Sequence, residues 1–198
     1  MDADTVEPMD SAYSLTPEEL AAAVEACGGQ AWRATQIGQW LYGGRVERWD
    51  AMTNVPAALR QALAARLRDL DGTARVREAA EEGGGTTKLL LDRHDVEMIE
   101  TVIIPARDRA TVCVSSQVGC AMGCAFCETA RLGFTRNLET GEIIDQLCQV
   151  RRMTGLKNNN VVFMGMGEPF MNYDAVIKAA DIINYNFGFH ISTRKITI

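Results

Sequence analysis

Cys120, Cys124 and Cys127 fall within eight residues, spaced C-x3-C-x2-C, with Gly123 just before the second cysteine. Thiolates are soft ligands that select iron–sulfur clusters, zinc or Cu(I). A [4Fe–4S] cluster usually takes four cysteines. Three from one tight loop leave an iron open to bind something else, an arrangement suited to chemistry and not only to carrying electrons. Zinc is the alternative, with four protein ligands in structural sites and three plus water in catalytic ones. The two histidines, His94 and His190, both stand far from the cysteines in sequence.

Three further places hold residues able to do chemistry. In Gly165-Met166-Gly167-Glu168-Pro169, the glycines permit positive φ and close backbone approach. Carbonyls there can accept from an ammonium group, Glu168 offers a further acceptor, and Pro169 stiffens the exit. An ordinary strand-to-helix turn would use similar residues. Glu100 lies in a stretch, Val96 to Ile104, whose alternation puts it with Val96, Met98, Val102 and Ile104. An acid on an apolar face needs a partner or a purpose. A buried salt bridge is the simpler answer and general acid/base work the other. Cys113 lies between Val112 and Val114 and alternates away from them; a lone strand cysteine is ordinarily a small buried hydrophobe, as Cys27 and Cys148 would be. Phe126 either lies over a bound group or packs in the core.

The elements that must position these residues follow from punctuation and period. Residues 1–13 read as a disordered acidic tail. Thr16-Pro17-Glu18-Glu19 is a capping box with proline at the first helical position. That helix stops at Gly28-Gly29. A second covers Arg33 to Tyr42, closed by Gly43-Gly44, and a third runs from Pro56 through Leu59, Leu63, Leu67 and Leu70 to Gly72. Residues 14–72 thus form a small helical domain. Its tryptophans, Trp32, Trp40 and Trp49, read as core residues or as an RNA-stacking platform.

Residues 73–108 form a β-rich extension: a loop over Glu81–Gly85, a strand over Thr87–Asp92, a turn over Asp92–Asp95 and a strand over Val96–Ile104. From residue 109 the order is strand (Ala110–Ser115), cysteine loop, helix, strand (Asn160–Met164), glycine loop, helix, strand (Lys195–Ile198). Thr140 and Asn172 are the expected helix caps. The apolar faces are Ile143, Ile144, Leu147 and Val150 in one helix and Val176, Ile177, Ala180 and Ile183 in the other. A βαβαβ run predicts parallel strands with right-handed crossovers. Loops after neighbouring parallel strands share one face, so the cysteine and glycine loops should converge.

Composition sets bounds. Hydrophobic residues make up 47% of 198 and charged residues 23%, a globular balance. No apolar run reaches about 18 residues, so no transmembrane helix and no membrane partner is expected. The acidic N-terminus lacks an apolar core and does not read as a signal peptide. Six cysteines without secretory features point to a reducing cytoplasm and to metal or catalytic use. The net charge of −6 is concentrated: residues 1–30 carry seven acids and no Lys or Arg, leaving 19 acids against 20 bases elsewhere. No basic stripe marks a nucleic-acid face.

The cysteine spacing is similar to that of radical S-adenosylmethionine (SAM) enzymes, in which the open iron chelates the amino and carboxylate groups of SAM. Four segments, Ile99–Val102, Arg109–Cys120, Gly133–Leu138 and Gly165–Pro169, together resemble the RlmN family of radical SAM RNA methyltransferases. The resemblance extends over roughly Leu15 to Ile198 and is most specific from Glu100 onward. It implies an α/β fold: a partial (β/α) radical SAM barrel, incomplete at the C-terminus, after a small helical domain and short β-strands. The barrel portion would be residues 109–198. Cys120, Cys124 and Cys127 would hold one [4Fe–4S] cluster, and Gly167 and Glu168 would contact SAM. Glu100 would accept a proton. Cys113 would be the thiol that resolves a covalent intermediate by disulfide formation with a methyl-carrying cysteine.

The implied reaction methylates C2 of adenosine in 23S rRNA (adenosine 2503) and tRNA (adenosine 37). One SAM methylates a cysteine; a second, cleaved reductively, yields a 5′-deoxyadenosyl radical that activates that methyl for addition to C2. The chemistry suits the target, because C2 is electron-poor and non-nucleophilic. The implied partners are 23S rRNA, tRNA and a reductase or flavodoxin-type electron donor, with a cytoplasmic enzyme that is monomeric at full length. Sister activity at C8 (Cfr-like) and a non-catalytic metal- or RNA-binding fragment are the alternatives. Family members run well beyond this length, and no cysteine follows Cys148. The expectation is therefore an N-terminal portion, with the methyl-carrying cysteine beyond Ile198 and an unpaired strand edge at Lys195–Ile198.

Overall fold

A computed structural model describes residues 9–43, 46–68, 70, 75–82, 85–92, 97–107, 109–155 and 157–198. The chain opens with strand β1 (Met9–Ser11), followed by a buried 3-10 turn over Ala12–Ser14. The tail expected over 1–13 therefore gives way to ordered chain at residue 9, because Ala12 and Tyr13 are apolar enough to be fully buried; residues 1–8 lie outside the described ones. Helix α1 (Pro17–Ala26) starts on the expected capping box: the Thr16 N–H donates to Glu19 at 2.8 Å and the Glu19 N–H to the Thr16 hydroxyl at 3.3 Å. Gly28, at φ +77°, turns the chain away. Helix α2 (Arg33–Tyr42) buries Ile37 and Leu41. Helix α3 (Ala57–Arg66) ends earlier than the leucine spacing suggests. Leu67 and Leu70 are buried as expected, but Leu67–Arg68 is strand β2, paired in parallel with β1. The tryptophans divide: Trp49 is buried, Trp40 half-buried, and Trp32 is 53% exposed.

Strands β3 (Arg75–Glu82), β4 (Thr86–Asp92), β5 (Met98–Ala106) and β6 (Arg109–Cys113) form an antiparallel meander. The start of the expected strand at Val96, most of the turn over Asp92–Asp95, the middle of the Glu81–Gly85 loop, Gly44 and Gly72 lie outside the described residues. After β6 come β7 (Gln117–Gly119), a single helical turn α4 (Glu128–Arg131) and β8 (Phe134–Asn137). Strands β7 and β8 pair antiparallel, a hairpin the βαβαβ reading missed because each strand is only three or four residues long. Helix α5 (Thr140–Thr154), β9 (Lys157–Val162), α6 (Tyr173–Asn184) and β10 (Ile196–Thr197) complete the chain.

Strands β6, β9 and β10 are mutually parallel neighbours, as the alternation of strands and helices predicts. They continue directly into the antiparallel meander, giving one six-stranded mixed sheet in the order β10-β9-β6-β5-β4-β3. The described strands within residues 73–108, a span expected as a β-rich linker or extension beside the barrel portion, are therefore hydrogen-bonded into its sheet. One hydrophobic core links the helical segment, the meander and the parallel strands.

Helix α5 lies at the centre. Its expected face, Ile143, Ile144, Leu147 and Val150, is buried, and so is every residue from Thr140 to Val150. The sheet covers one side: the Thr101 hydroxyl donates to Gln146 at 2.8 Å. The helical segment covers the other: the Gly141 N–H donates to Ser14, and Arg151 donates to the Tyr42 carbonyl at 2.6 Å. The buried acids are paired, Glu142 with Arg136 at 2.8 Å and Asp145 with Arg152 at 3.0 Å. Glu139, not Thr140, is the N-cap, in a capping box with Glu142. Helix α6 buries Val176, Ala179, Ile182 and Ile183, a face rotated by about one residue from the expected one. No helix among the described residues is long and apolar enough to cross a membrane.

Cys148 is fully buried against the Leu41 carbonyl, and burial pushes its thiol from 9.0 up to about 12. A proton held more tightly in the folded state contributes stability that is complete below the unfolded value and lost as pH rises toward the folded one. Urea unfolding should therefore lose up to about 1.4 kcal/mol per pH unit from this thiol above pH 9. In Cys148→Ala the slope between pH 9 and 10 should flatten; an unchanged slope would assign the loss to other groups.

Candidate active site

The glycine loop meets the buried segment that leads into the cysteine loop. Strand β6 continues past Cys113 with the Val114 N–H donating to the Val162 carbonyl at 2.9 Å, and β7 begins only at Gln117. The segment between is clasped by the glycine loop. The Gly165 N–H donates to the Val114 carbonyl at 3.1 Å, and the Ser116 N–H to the Met166 carbonyl at 2.8 Å. The Glu168 N–H donates to the Gln117 side chain at 2.8 Å. Gly165 and Gly167 are needed for this approach. A Cβ on Gly165 would stand 2.8 Å from Val114 backbone, and one on Gly167 (φ +97°) would stand 2.5 Å from the Gln117 Cβ.

Asn172 occupies the N-cap position of α6 but does not cap it. Its amide donates instead to the carbonyls of Ser116 and Leu138, at 2.8 Å each. Gln117 also donates to Asn137 at 2.7 Å, so the glycine loop, the cysteine-bearing hairpin and the start of α5 are tied at one place. Ser116, Gln117 and Asn172 are buried polar residues that carry no periodic signal, and sequence reasoning assigned them no role in holding the site.

The cysteine loop projects from this anchor between β7 and β8. The Cys120 N–H donates to the Gly133 carbonyl at 2.8 Å, closing the base of the loop. All six cysteines are free thiols, with no disulfide at Cys113. Cys124 is exposed and Cys120 and Cys127 are half-buried. The Ala130 backbone N–H holds the Cys127 thiol below the usual thiol range, because the hydrogen bond favours the thiolate. Three soft donors on one open loop fit an iron–sulfur group in type. Among the described residues, however, no three His, Cys, Asp or Glu side chains stand together as a group able to hold a metal ion. Phe126 is 94% exposed, which excludes the core reading.

Glu100 and Cys113 share the open face of the sheet. Val102 pairs with Cys113 across β5 and β6, and Glu100 is two residues from Val102 on the same side. Glu100 is not the buried acid its apolar neighbours suggested. It is 43% exposed and ion-paired to Lys88 on β4, with Nζ 3.1 Å from Oε1. Met98 and Ile104 are exposed on that face too, which is why alternation alone misread it as interior. Burial pushes the Cys113 thiol above its ordinary range. At neutral pH it is protonated, and it becomes a nucleophile only when a base or a change of surroundings removes the proton.

Residues 13–68 match the ribosomal RNA large subunit methyltransferase N-terminal domain family, RlmN_N. The chain is 42% identical over 194 residues to the probable dual-specificity RNA methyltransferase RlmN of Geobacillus thermodenitrificans, covering 96% of this chain and 53% of that protein. It is 43% identical over 187 residues to the dual-specificity RNA methyltransferase RlmN of Geotalea uraniireducens, covering 93% and 53%. Over its own length, the chain is similar to these RlmN proteins. It spans about half the length of the curated relatives it matches. Its fold is similar to the crystal structure of a radical SAM methyltransferase from Sphaerobacter thermophilus, with TM-score 0.85 and 40% identity over 95% of this chain and 56% of that one. The α/β fold expected from the sequence is thus similar to the matching part of that radical SAM methyltransferase, with a mixed sheet.

The hairpin carrying the cysteines depends on Gly119. At φ +73°, a Cβ there would stand 1.8 Å from the Gly133 carbonyl oxygen, whereas Gly123 (φ +64°) has nothing within 4 Å. Gly119→Ala should cost about 3 kcal/mol by parting β7 from β8, and Gly123→Ala only about 1 kcal/mol of backbone strain. Urea unfolding of the two metal-free variants checks this; equal costs would mean the hairpin does not need the close approach.

Proposed function

We propose that this chain supplies the cluster loop, the SAM-contacting loop and two reacting groups of an RlmN-type radical SAM RNA methyltransferase acting on C2 of adenosine in 23S rRNA and tRNA. The observation that carries the reading is the clasp between residues 114–117 and the glycine loop. It ties the segment that leads from β6 into the cysteine hairpin to the loop that follows β9, at the same ends of two neighbouring parallel strands. The 40–43% identity to RlmN proteins and to a radical SAM methyltransferase supports it.

In this reading Cys120, Cys124 and Cys127 hold one [4Fe–4S] cluster, which supplies an electron and an open iron for SAM. Carbonyls near Gly167 accept from the SAM ammonium group, and Glu168 contacts SAM. Glu100 accepts the C2 proton. Its ion pair with Lys88 orients the side chain on the open face, and at 43% exposure the pair adds little to stability. Cys113, on the same face, is the resolving thiol; its raised proton affinity keeps it unreactive until the final step. The methyl is carried on a cysteine other than Cys113 and the three cluster ligands. The enzyme works in the cytoplasm, as a monomer at full length, with a reductase or flavodoxin-type donor.

Anaerobic reconstitution with iron and sulfide should load about four iron per chain. A Cys120/Cys124/Cys127→Ala triple variant should load none. Stoichiometric zinc without iron, or a cluster retained in the triple variant, would overturn the assignment. Pairing this sequence with the remaining half found in its relatives should then give 2-methyladenosine on mass spectrometry of digested RNA. An 8-methyl product would identify Cfr-like chemistry instead.

A further inference from the structure

Ser115 lies between the resolving thiol and the cysteine hairpin, and it is fully buried. Its hydroxyl accepts the Met166 N–H at 2.9 Å and donates to the Glu100 backbone carbonyl at 2.6 Å. The result is one directional chain, Met166 N–H to Ser115 Oγ–H to Glu100 C=O. It joins the glycine loop to the residue proposed as proton acceptor, across two strands. Both ends are backbone groups, so the chain fixes main-chain positions and leaves both functional side chains free. Gly165 makes room for it, since a Cβ there would come within 2.8 Å of Ser115 Oγ. The serine itself is held from the far side. The Gln146 carboxamide accepts the Ser115 N–H at 2.8 Å and donates to the Ser115 carbonyl at 2.9 Å.

We infer that Ser115 is a positioning residue that sets the glycine loop and the Glu100 strand in register with each other. The inference rests on the reading of Gly165–Glu168 as the SAM loop. A hydroxyl in the middle of such a chain has few substitutes. Without it, the buried Met166 N–H and the part-buried Glu100 C=O lose this shared partner together, and such losses are costly. A loop freed from Ser115 keeps its clasp at Ser116 and Gln117, so the expected failure is loosening at Met166 and not unfolding.

The test uses the full chain in two states. In the metal-free protein, Ser115→Ala should raise hydrogen–deuterium exchange at Met166 about tenfold, with the circular dichroism of the wild type preserved. Ser115→Thr, which keeps the hydroxyl, should restore protection. If Ser115→Ala does not fold, Gly165→Ala crowds the same oxygen while leaving Ser115 in place, and should show the same loosening. In the anaerobically reconstituted chain, Ser115→Ala should bind S-adenosylmethionine about tenfold more weakly at unchanged iron content, and Ser115→Thr should bind as the wild type does. Wild-type exchange at Met166 in a folded Ser115→Ala chain overturns the inference, as does wild-type SAM affinity in both Ser115→Ala and Gly165→Ala. If the wild-type chain itself takes up no iron and binds no SAM, the functional reading fails and the exchange measurement alone decides the role of Ser115.

Discussion

The structure depends on what happens to the backbone of one residue as it leaves the sheet. At Ser115 the chain leaves β6 while still fully buried, and a buried N–H and C=O must be paired. No strand supplies the partners. The carboxamide of Gln146 does, accepting from one group and donating to the other as a neighbouring strand would, and it also accepts the Thr101 hydroxyl. A carboxamide has both a donor and an acceptor end, which a carboxylate or an ammonium lacks. The exit direction of β6, and with it the aim of the cysteine hairpin, is therefore set by helix α5. That helix can hold a side chain so firmly because it is buried on all sides from Thr140 to Val150, between the sheet and the N-terminal helices.

The mixed sheet explains how an acid, a thiol and two loops come to one side. Its closed face carries Leu89, Leu91, Ile99, Thr101, Ile103, Val112 and Val161, all buried. Its open face carries Lys88, Glu100, Val102, Cys113 and Val162, all half-exposed. The antiparallel meander brings Glu100 and its lysine, and the parallel strands bring the loops. Register joins the two sets: Cys113 faces Val102 on one side and Val162 on the other. A slip of one residue on β5 would bury Glu100 and expose Thr101, so the hydrophobic pattern that builds the core also selects the acid for the open face.

How much of this was legible in the sequence depends on the range of the forces involved. Local signals read well. The capping box at Thr16–Glu19, the stop at Gly28 and the span of α2 match, because each depends on a few adjacent residues. The parallel run β6–β9–β10 and the meeting of its loops also match, because alternation of strand and helix leaves few topologies. What failed was decided at a distance. Leu67 keeps helical spacing but pairs with a strand 58 residues earlier in sequence, Met9. Asn172 stands where a cap should be and spends its amide on Ser116 and Leu138. The all-round burial of α5 contradicts its many polar residues until their partners, Arg136, Arg152 and the Ser115 backbone, are in place. Glu100 was read as interior because strand alternation says which residues share a face, not whether anything covers that face.

The division between anchor and working group follows from the same physics. The segment Val114–Gln117 contains no ionisable side chain and is wholly buried, whereas Cys120, Cys124, Cys127, Glu168 and Glu100 are at least partly open to solvent. Placing charge at the anchor would incur a desolvation cost that hydrogen bonds only partly offset. Neutral donors and acceptors with both ends satisfied avoid that cost and, in a low-dielectric surround, are strong and directional. The groups proposed to react are then free to carry charge, exchange protons and bind ligands at the rim without disturbing what holds them. Such an arrangement makes the chemistry more sensitive to a lost hydroxyl or a single added methyl at the anchor than to most changes on the exposed loop itself. An added Cβ would accordingly collide at Gly119, Gly165 and Gly167, where the hairpin closes and the glycine loop meets Val114 and Gln117, whereas Gly123, out among the cysteines, has open space around it.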